Sequence, residues 1–226
     1  MNNNLKKTKL LTILFDLSIK YEGLPQLRGA IIQLSQFKSD LFHNHADGGV
    51  IYRYPLIQYK RIKRKAALLC IEEGANVVYE IFTAGDLNIM LGNKPVGLKV
   101  EDIHVFPFHI GVWEDQFHYR LENWLPLNQE NYQRYHQMET FHEKVQVLEK
   151  VLVGNLLSFC EGIGLKPEKE VRAVIRRIAK EKVVRYRGQM MQAYDIDFSA
   201  NVSIPNYAGL GKGSGIGFGM VITKKK

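Results

Sequence analysis

The stretch "DLFHNHADGG", residues 40–49, places two of the chain's seven histidines, His43 and His45, one residue apart and ahead of a turn signal. Imidazole suits proton transfer near neutrality, because its unperturbed pKa of about 6.5 keeps acid and base forms both populated. At i, i+2 the two rings project from one side of an extended segment, whereas on a helix they would stand about 200° apart. Two imidazoles facing one way can straddle a phosphate.

Other uses of the pair compete with that one. The letters H-N-H also name a class of metal-dependent nucleases, but there the residues are dispersed through a ββα-metal unit and do not form a tripeptide. A zinc site would need at least one more ligand, which Asp40 or Asp47 would have to supply. Two solvated loop histidines would need no role at all. The choice depends on what surrounds the pair.

What surrounds it is positive charge. Five of the six residues in "KRIKRK", residues 60–65, are basic, and the run is expected at a hairpin tip where Lys60, Arg61, Lys63 and Arg64 project into solvent. A second field, Arg172, Arg176, Arg177, Lys180, Lys182, Arg185 and Arg187, is expected to run along a helix and into the following strand, with Arg172 and Arg176 on one face. Like charges this dense repel one another unless a polyanion neutralises them, and phosphates are the commonest such partner. The whole chain agrees: 31 Lys and Arg against 23 Asp and Glu leave a net charge of +8. Tyr52, Tyr54 and Tyr59 offer rings for stacking on unpaired bases, and strand tyrosines equally serve in cores. Tyr52 and Arg53 join the RNA-binding set.

A third signal is the loop "GLGKGSGIGFG", with glycine at every second position from Gly209 to Gly219. It is not a Walker A loop: Asn206 stands where the upstream glycine belongs, and Gly213 follows Lys212 where Ser or Thr is required. It also lacks the dinucleotide spacing. Unblocked backbone N–H groups can approach a phosphate closely, with Lys212 and Ser214 adding a cation and a hydroxyl. The alternative is a tightly packed or flexible turn between strands.

The elements that must position these groups follow from apolar periodicity. Residues 10–18, "LLTILFDLS", predict a buried strand. In "GLPQLRGAIIQLS", Leu27, Ala30, Ile31 and Leu34 share a helical face, so this helix delivers the chain to the histidine stretch. "GGVIYRYPLIQYK" and "KAALLCIEE" predict a hairpin, "GANVVYEIFTAG" a short helix and "LKVEDIHVFPF" a strand, an order βαββαβ. The remainder begins the same order again. "FHYRLENWLPLN" predicts a strand, "ETFHEKVQVLEKVLVGNLLSFCEG" a long helix and "EKVVRYRGQMMQAYDIDFSANVSI" two strands. After Ile204 there is little room for a second helix before the glycine loop and a last strand. The expected fold is therefore α+β, two ferredoxin-like (RRM-like) domains in tandem, at 1–112 and 113–226, each an antiparallel sheet with helices on one face.

Composition narrows the setting. Cys70 and Cys160 each lie in an apolar run and have neither the number nor the spacing for a disulfide framework or zinc site, which predicts buried thiols in a reducing cytoplasm. No cleavable leader is expected at residues 1–20, and no segment reaches the ~18 uninterrupted apolar residues of a membrane span. His104, His109 and His118 are expected on sheet strands and His136 and His142 on helices, with no chemistry assigned.

Gly209, Gly211, Gly217, Phe218 and Gly219, immediately before a terminal strand, resemble the C-terminal glycine-rich motif of the CRISPR-associated endoribonucleases that cut precursor CRISPR RNA within its repeats, members of the RAMP superfamily. The N-terminal helix, the histidine-bearing loop and "YRYPLIQYK" are similar to the members serving type I-B systems. The resemblance implies tandem ferredoxin-like domains and metal-independent cleavage in antiviral defence, with no cofactor and no metal ligand. It also implies that His43 and His45 are the catalytic pair, placed after the first helix, with Lys38, Lys60 or Tyr52 as candidates to stabilise the transition state. The implied partners are the precursor repeat, the mature guide RNA that stays bound and other effector-complex subunits, the chain being a monomer or homodimer. The competing expectation is a non-catalytic RNA-binding scaffold of the same fold.

Overall fold

A computed structural model describes residues 5–35, 41, 45, 46, 49, 50, 54–82 and 87–224. The chain divides into two compact units: Lys7–Phe108 with Gly215–Gly217, and Met1–Lys6, His109–Ser214 and Phe218–Lys226. Each is built on an antiparallel sheet.

The N-terminal unit contains β1 (Leu5–Ser18), a 3-10 turn (Tyr21–Gly23), α1 (Leu24–Leu34), β2 (His45–Ala46), β3 (Gly49–Val50), β4 (Ile57–Ile62), β5 (Lys65–Ile71), α2 (Glu73–Phe82), β6 (Asn88–Leu91), β7 (Lys94–Gly97) and the start of β8 (Val100–Trp124). Its sheet order is β4-β5-β1-β8. This is the ferredoxin-like order, in which the first and third strands of a βαββαβ chain lie at the centre. Alternation sets the register: Leu11, Ile13 and Phe15 of β1 face the same way as Ile57 and Tyr59 of β4 and Leu68 and Cys70 of β5. Leu24, Leu27, Ala30 and Ile31 of α1 and Ala75 and Val78 of α2 cover that face. Pro25 sits in the first turn of α1, where no intrahelical N–H is lost.

The C-terminal unit contains the rest of β8, α3 (Gln129–Gln137), α4 (Phe141–Gly162), β9 (Ala173–Tyr186), β10 (Gln189–Val202) and β11 (Met220–Thr223). Here β11 and β10 flank β8, and β9 pairs with β10. The order β11-β8-β10-β9 is again ferredoxin-like. The helix α4 opens with a capping box between Thr140 and Glu143 and buries Leu148, Leu152, Leu156, Phe159 and Cys160. Each such leucine contributes about 1.5–3 kcal/mol of hydrophobic stabilisation.

Two expectations are corrected. The two strands anticipated around residue 113 are one strand of 25 residues, β8. Nothing in "HIGVWEDQ" forces a turn, and Gly111 stays in the ladder by donating its N–H to Ser203 Oγ (3.0 Å) and accepting from the Ser203 N–H (3.0 Å). The helix expected to carry Arg172, Arg176, Arg177 and Lys180 is instead the strand β9 for the last three, with Arg172 just ahead of it. Pairing with β10 outweighs the helix-like i, i+4 arginines, and shifts of register opposite Asp195/Ile196 and Asp197/Phe198 disguise the period-two pattern. The helix α3 carries His136, which is expected on a helix, and it extends over residues that the apolar pattern does not delimit. Its cap is Asn128, whose Oδ1 accepts from the Asn131 N–H at 2.7 Å. As the short spacing after Ile204 implied, residues 203–219 contain no helix.

Two glycines give opposite predictions. A Cβ on Gly154, inside α4, meets nothing within 4 Å, so Gly154→Ala should stabilise the chain by about 0.5–1 kcal/mol. At Gly219, φ is +57° and a Cβ would lie 1.9 Å from the Leu210 carbonyl oxygen, so Gly219→Ala should destabilise it by more than about 1–3 kcal/mol. Urea unfolding of the two variants checks both signs.

Candidate nucleic-acid interface

The histidine stretch follows α1 in the N-terminal unit. His45 and Ala46 form β2, paired antiparallel with β3 through His45↔Val50 and Ala46↔Gly49. The backbone at His45 is thus extended, the conformation in which i and i+2 side chains share a side. Of His45 only the backbone is described, and His43, Lys38, Tyr52 and Arg53 lie outside the described residues.

The basic hairpin is present, but its tip is shorter than expected. The turn consists of Lys63 (φ 49°) and Arg64 (φ 71°), between the closing pair Ile62↔Lys65. Two consecutive positive φ values make the right-handed twist of a tight two-residue hairpin, a geometry usually filled by Asn and Gly. Lys and Arg endure the strain here, and both are exposed. Their neighbours are consumed by the fold. Lys65 pairs with Asp16 (3.2 Å) and with Glu101. The Arg61 Nε donates to the Ile19 carbonyl oxygen at 2.8 Å, and its guanidinium lies 5.0 Å from the centre of the Tyr21 ring.

Lys60 is 0% exposed, the reverse of a charge projecting into solvent. Gln58, Lys60 and Ile62 alternate with the core-facing Ile57 and Tyr59, and both faces of β4 are covered. Burial pushes the Lys60 ammonium down to about 7, since removing a cation from water penalises its charged form. Tyr59 also belongs to the core, at 2% exposure, and offers no ring for stacking.

In the C-terminal unit, β9 and β10 form a long hairpin closed by Arg187 (φ 48°) and Gly188 (φ 82°). Lys182 reaches both carboxylate oxygens of Asp195, at 2.7 and 2.8 Å. The Arg176 Nε donates to Ser199 Oγ at 2.9 Å and its Nη2 to Gln116 Oε1 at 3.2 Å. The Arg187 guanidinium stacks on Tyr186, 5.5 Å from the ring centre. Arg177, Lys180 and Arg185 are exposed along the strand.

The glycine loop is a tightly packed turn. The Leu210 N–H donates to the Gly219 carbonyl oxygen (2.8 Å), and Gly209 bridges to Met220. The Ser214 N–H donates to the Gly211 oxygen (3.3 Å) and the Phe218 N–H to the Gly213 oxygen (3.3 Å). Gly211, at φ +77°, leaves room for the Asn155 amide, which accepts a 2.8 Å hydrogen bond from Trp124 Nε1. Gly213 makes room for Tyr186 and Phe218, and Gly217 for Leu24. Ser214 is buried, so Lys212 is the loop's exposed polar group. Alternating glycines were the visible signal, and close approach of side chains and backbone is their first physical cause.

Among the described residues no group of three or more His, Cys, Asp or Glu is placed to hold a metal ion, and no helix is long and apolar enough to cross a membrane. Cys70 and Cys160 are free and buried.

Comparison with known proteins covers both halves of the chain. The family models for the Cas6b N-terminal domain and the Cas6b C-terminal domain match residues 6–108 and 111–224. An uncharacterized protein of Methanocaldococcus jannaschii is 34% identical over 113 residues, 50% of this chain and 76% of that protein. A crystal structure of Cas6b superposes with a TM-score of 0.85 at 24% identity, covering 97% of this chain and 100% of that one. A crystal structure of a CRISPR RNA processing endoribonuclease Cas6b does so with a TM-score of 0.74 at 22% identity over the same shares. A RAMP protein binding different RNA substrates shares the fold at a TM-score of 0.52 and 12% identity, with 97% of this chain and 100% of that one covered.

The buried lysine yields a signed prediction. Between about pH 7 and 10.5 the unfolded chain holds the Lys60 proton while the folded chain has lost it, so stability should rise with pH across that window. In Lys60→Met that contribution is gone. The gap between the urea midpoints of wild type and variant should shift in favour of wild type from about pH 7 to about pH 9.5, whereas a constant gap would mean that Lys60 keeps its charge when buried.

Proposed function

The chain belongs to the Cas6b family, and from that premise we propose that it is an endoribonuclease that cuts precursor CRISPR RNA within its repeats without using a metal ion. The observation that carries this reading is the match of both halves to one family, to which a CRISPR RNA processing endoribonuclease also belongs. The chemistry is transesterification. One histidine of the pair His43 and His45 takes the proton of the ribose 2′-OH, and the 2′-oxygen attacks the adjacent phosphorus. The bond from phosphorus to the 5′-oxygen breaks, and the other histidine protonates that oxygen. The products are a 2′,3′-cyclic phosphate and a 5′-OH.

His45 opens a short extended strand after α1, and two imidazoles this near in sequence suit acid and base roles at one phosphate. Exposed cations supply the electrostatic grip: Lys63 and Arg64 at one hairpin turn, Arg177, Lys180 and Arg185 along β9, and Lys212 on the glycine loop. Tyr52 and Arg53 complete the proposed set of RNA-binding residues. Lys60 and Arg61 leave it and act within the fold. The glycines Gly209, Gly211, Gly213, Gly217 and Gly219 act by shaping the turn that presents Lys212, with Ser214 packed beneath. The product guide RNA stays bound to these cations in a reducing cytoplasm, ready for other effector subunits.

Single-turnover cutting of a repeat RNA should proceed in EDTA, and a substrate with a 2′-deoxyribose at the cut site should stay intact. Changing His43 or His45 to Ala should slow cutting by at least about 100-fold, with affinity for the RNA kept within about twofold. Wild-type rates in both variants would overturn the assignment of the pair. RNA bound but never cut by the wild-type chain would favour a scaffold role.

Changing Lys63 and Arg64 together to Ala should weaken binding and flatten its dependence on salt, by about 0.7–0.9 in the log–log slope for each phosphate that is no longer neutralised. An unchanged slope would remove this turn from the interface.

A further inference from the structure

A cleft of about 890 Å³ opens in the C-terminal unit between α3 and the β9–β10 hairpin, with Lys212 of the glycine loop in its lining. Its volume falls in the range of about 300–1,000 Å³ typical of small-ligand sites. Tyr132 lines it and remains 46% exposed. The ring is preorganised from behind. His136, one helical turn on, lies 4.3 Å from Tyr132 between ring centres, and His136 meets Tyr135 edge-on at 5.5 Å. Tyr135 in turn meets the buried Tyr194 edge-on at 6.2 Å. The imidazole is pinned from the sheet side: His136 Nε2 and Gln192 Oε1 are 3.1 Å apart, and the Gln192 amide donates to the Glu181 carboxylate. That bond occupies Glu181, the one acid of the lining.

Across from α3 the hairpin contributes apolar side chains left in solvent, Val183 63% and Met190 64% exposed, among its polar ones. The two lysines of the lining are not equivalent. Lys182 is neutralised by its two-pronged pairing with Asp195, while Lys212 has no acidic partner among the described residues. A rigid aromatic face, apolar side chains across from it and one uncompensated cation match a flat heteroaromatic ring joined to a phosphate.

We propose that this cleft holds one unpaired nucleotide of the RNA, its base between Tyr132 and the Met190 side and its phosphate at Lys212. The assignment rests on the reading of the chain as an RNA-handling protein, and it specifies single-stranded RNA, since only an unpaired base offers its face to a side chain. A base stacked on an aromatic ring is sequence-tolerant, so the cleft grips an unpaired flank without reading it.

The test measures binding of the full chain to a fluorescein-labelled oligocytidylate hexamer and to an abasic ribose-phosphate chain of equal length, by anisotropy. Wild type should bind the cytidylate more tightly than the abasic chain. Tyr132→Ala should weaken cytidylate binding by at least about fivefold and leave the abasic chain unaffected, and Tyr132→Phe should restore the wild-type value to within about twofold. Lys212→Ala should weaken both probes. The inference is overturned if Tyr132→Ala binds cytidylate as wild type does, or if wild type does not distinguish the two probes. Stacking on Tyr132 by a chain that leaves repeat RNA intact would sink the nuclease reading alone. Repeat cleavage without Tyr132-dependent binding would sink this inference alone.

Discussion

The C-terminal half turns on a steric constraint at Gly219, where the Leu210 carbonyl occupies the space of a side chain. Because no Cβ intervenes, the Gly219 carbonyl can accept from Leu210 and its N–H can donate to the Asn123 carbonyl oxygen (3.1 Å), at the end of β8. The last strand is thereby brought against β8 without the crossover helix that a ferredoxin-like unit usually uses. The same economy recurs at Gly211, which leaves space for the Asn155 amide bonded to Trp124. A turn this tight has little freedom, so Lys212 is held out at a defined place on the unit.

A second organising fact is the unequal use of positive charge. In a chain of net charge +8, many cations are already engaged: Lys65 by Asp16 and Glu101, Lys182 by Asp195, Arg61 by a carbonyl and a tyrosine ring. Lys60 is taken out of water altogether. Exposed cations available to a polyanion include Lys63 and Arg64 at one hairpin turn, Arg177, Lys180 and Arg185 along β9 and Lys212 on the glycine loop. Such cations beside aromatic and apolar surface suit a partner that combines phosphates with exposed bases, which is the character of single-stranded RNA.

The parts legible in the sequence are those where local pattern and tertiary role agree. The apolar stripe of α1, the long helix α4, the β4–β5 hairpin and the missing helix before the glycine loop are all of this kind. β9 reads as a helix because its neighbours decide its state: paired with β10 and bulged twice, it has no clean alternation to display. Lys60 carries the right charge to the wrong destination. Strand parity puts it on the face opposite the core-facing Tyr59, but nothing local shows that this second face is covered too. The polar helix α3 is anticipated only at His136, and without an apolar stripe to mark its extent Tyr132 escapes notice. At the histidine stretch the residue types alone carry the reading.

In the proposed reaction the nucleophile belongs to the RNA, and the protein's part is to move protons and hold charge. The ends left by the cut report on that directly. Mass spectrometry of the fragment upstream of the cut, from a reaction in EDTA stopped early, should find a 2′,3′-cyclic phosphate and a 5′-OH on its downstream partner. An upstream 3′-OH with a downstream 5′-phosphate would mean that water or hydroxide attacked instead, and would contradict the account.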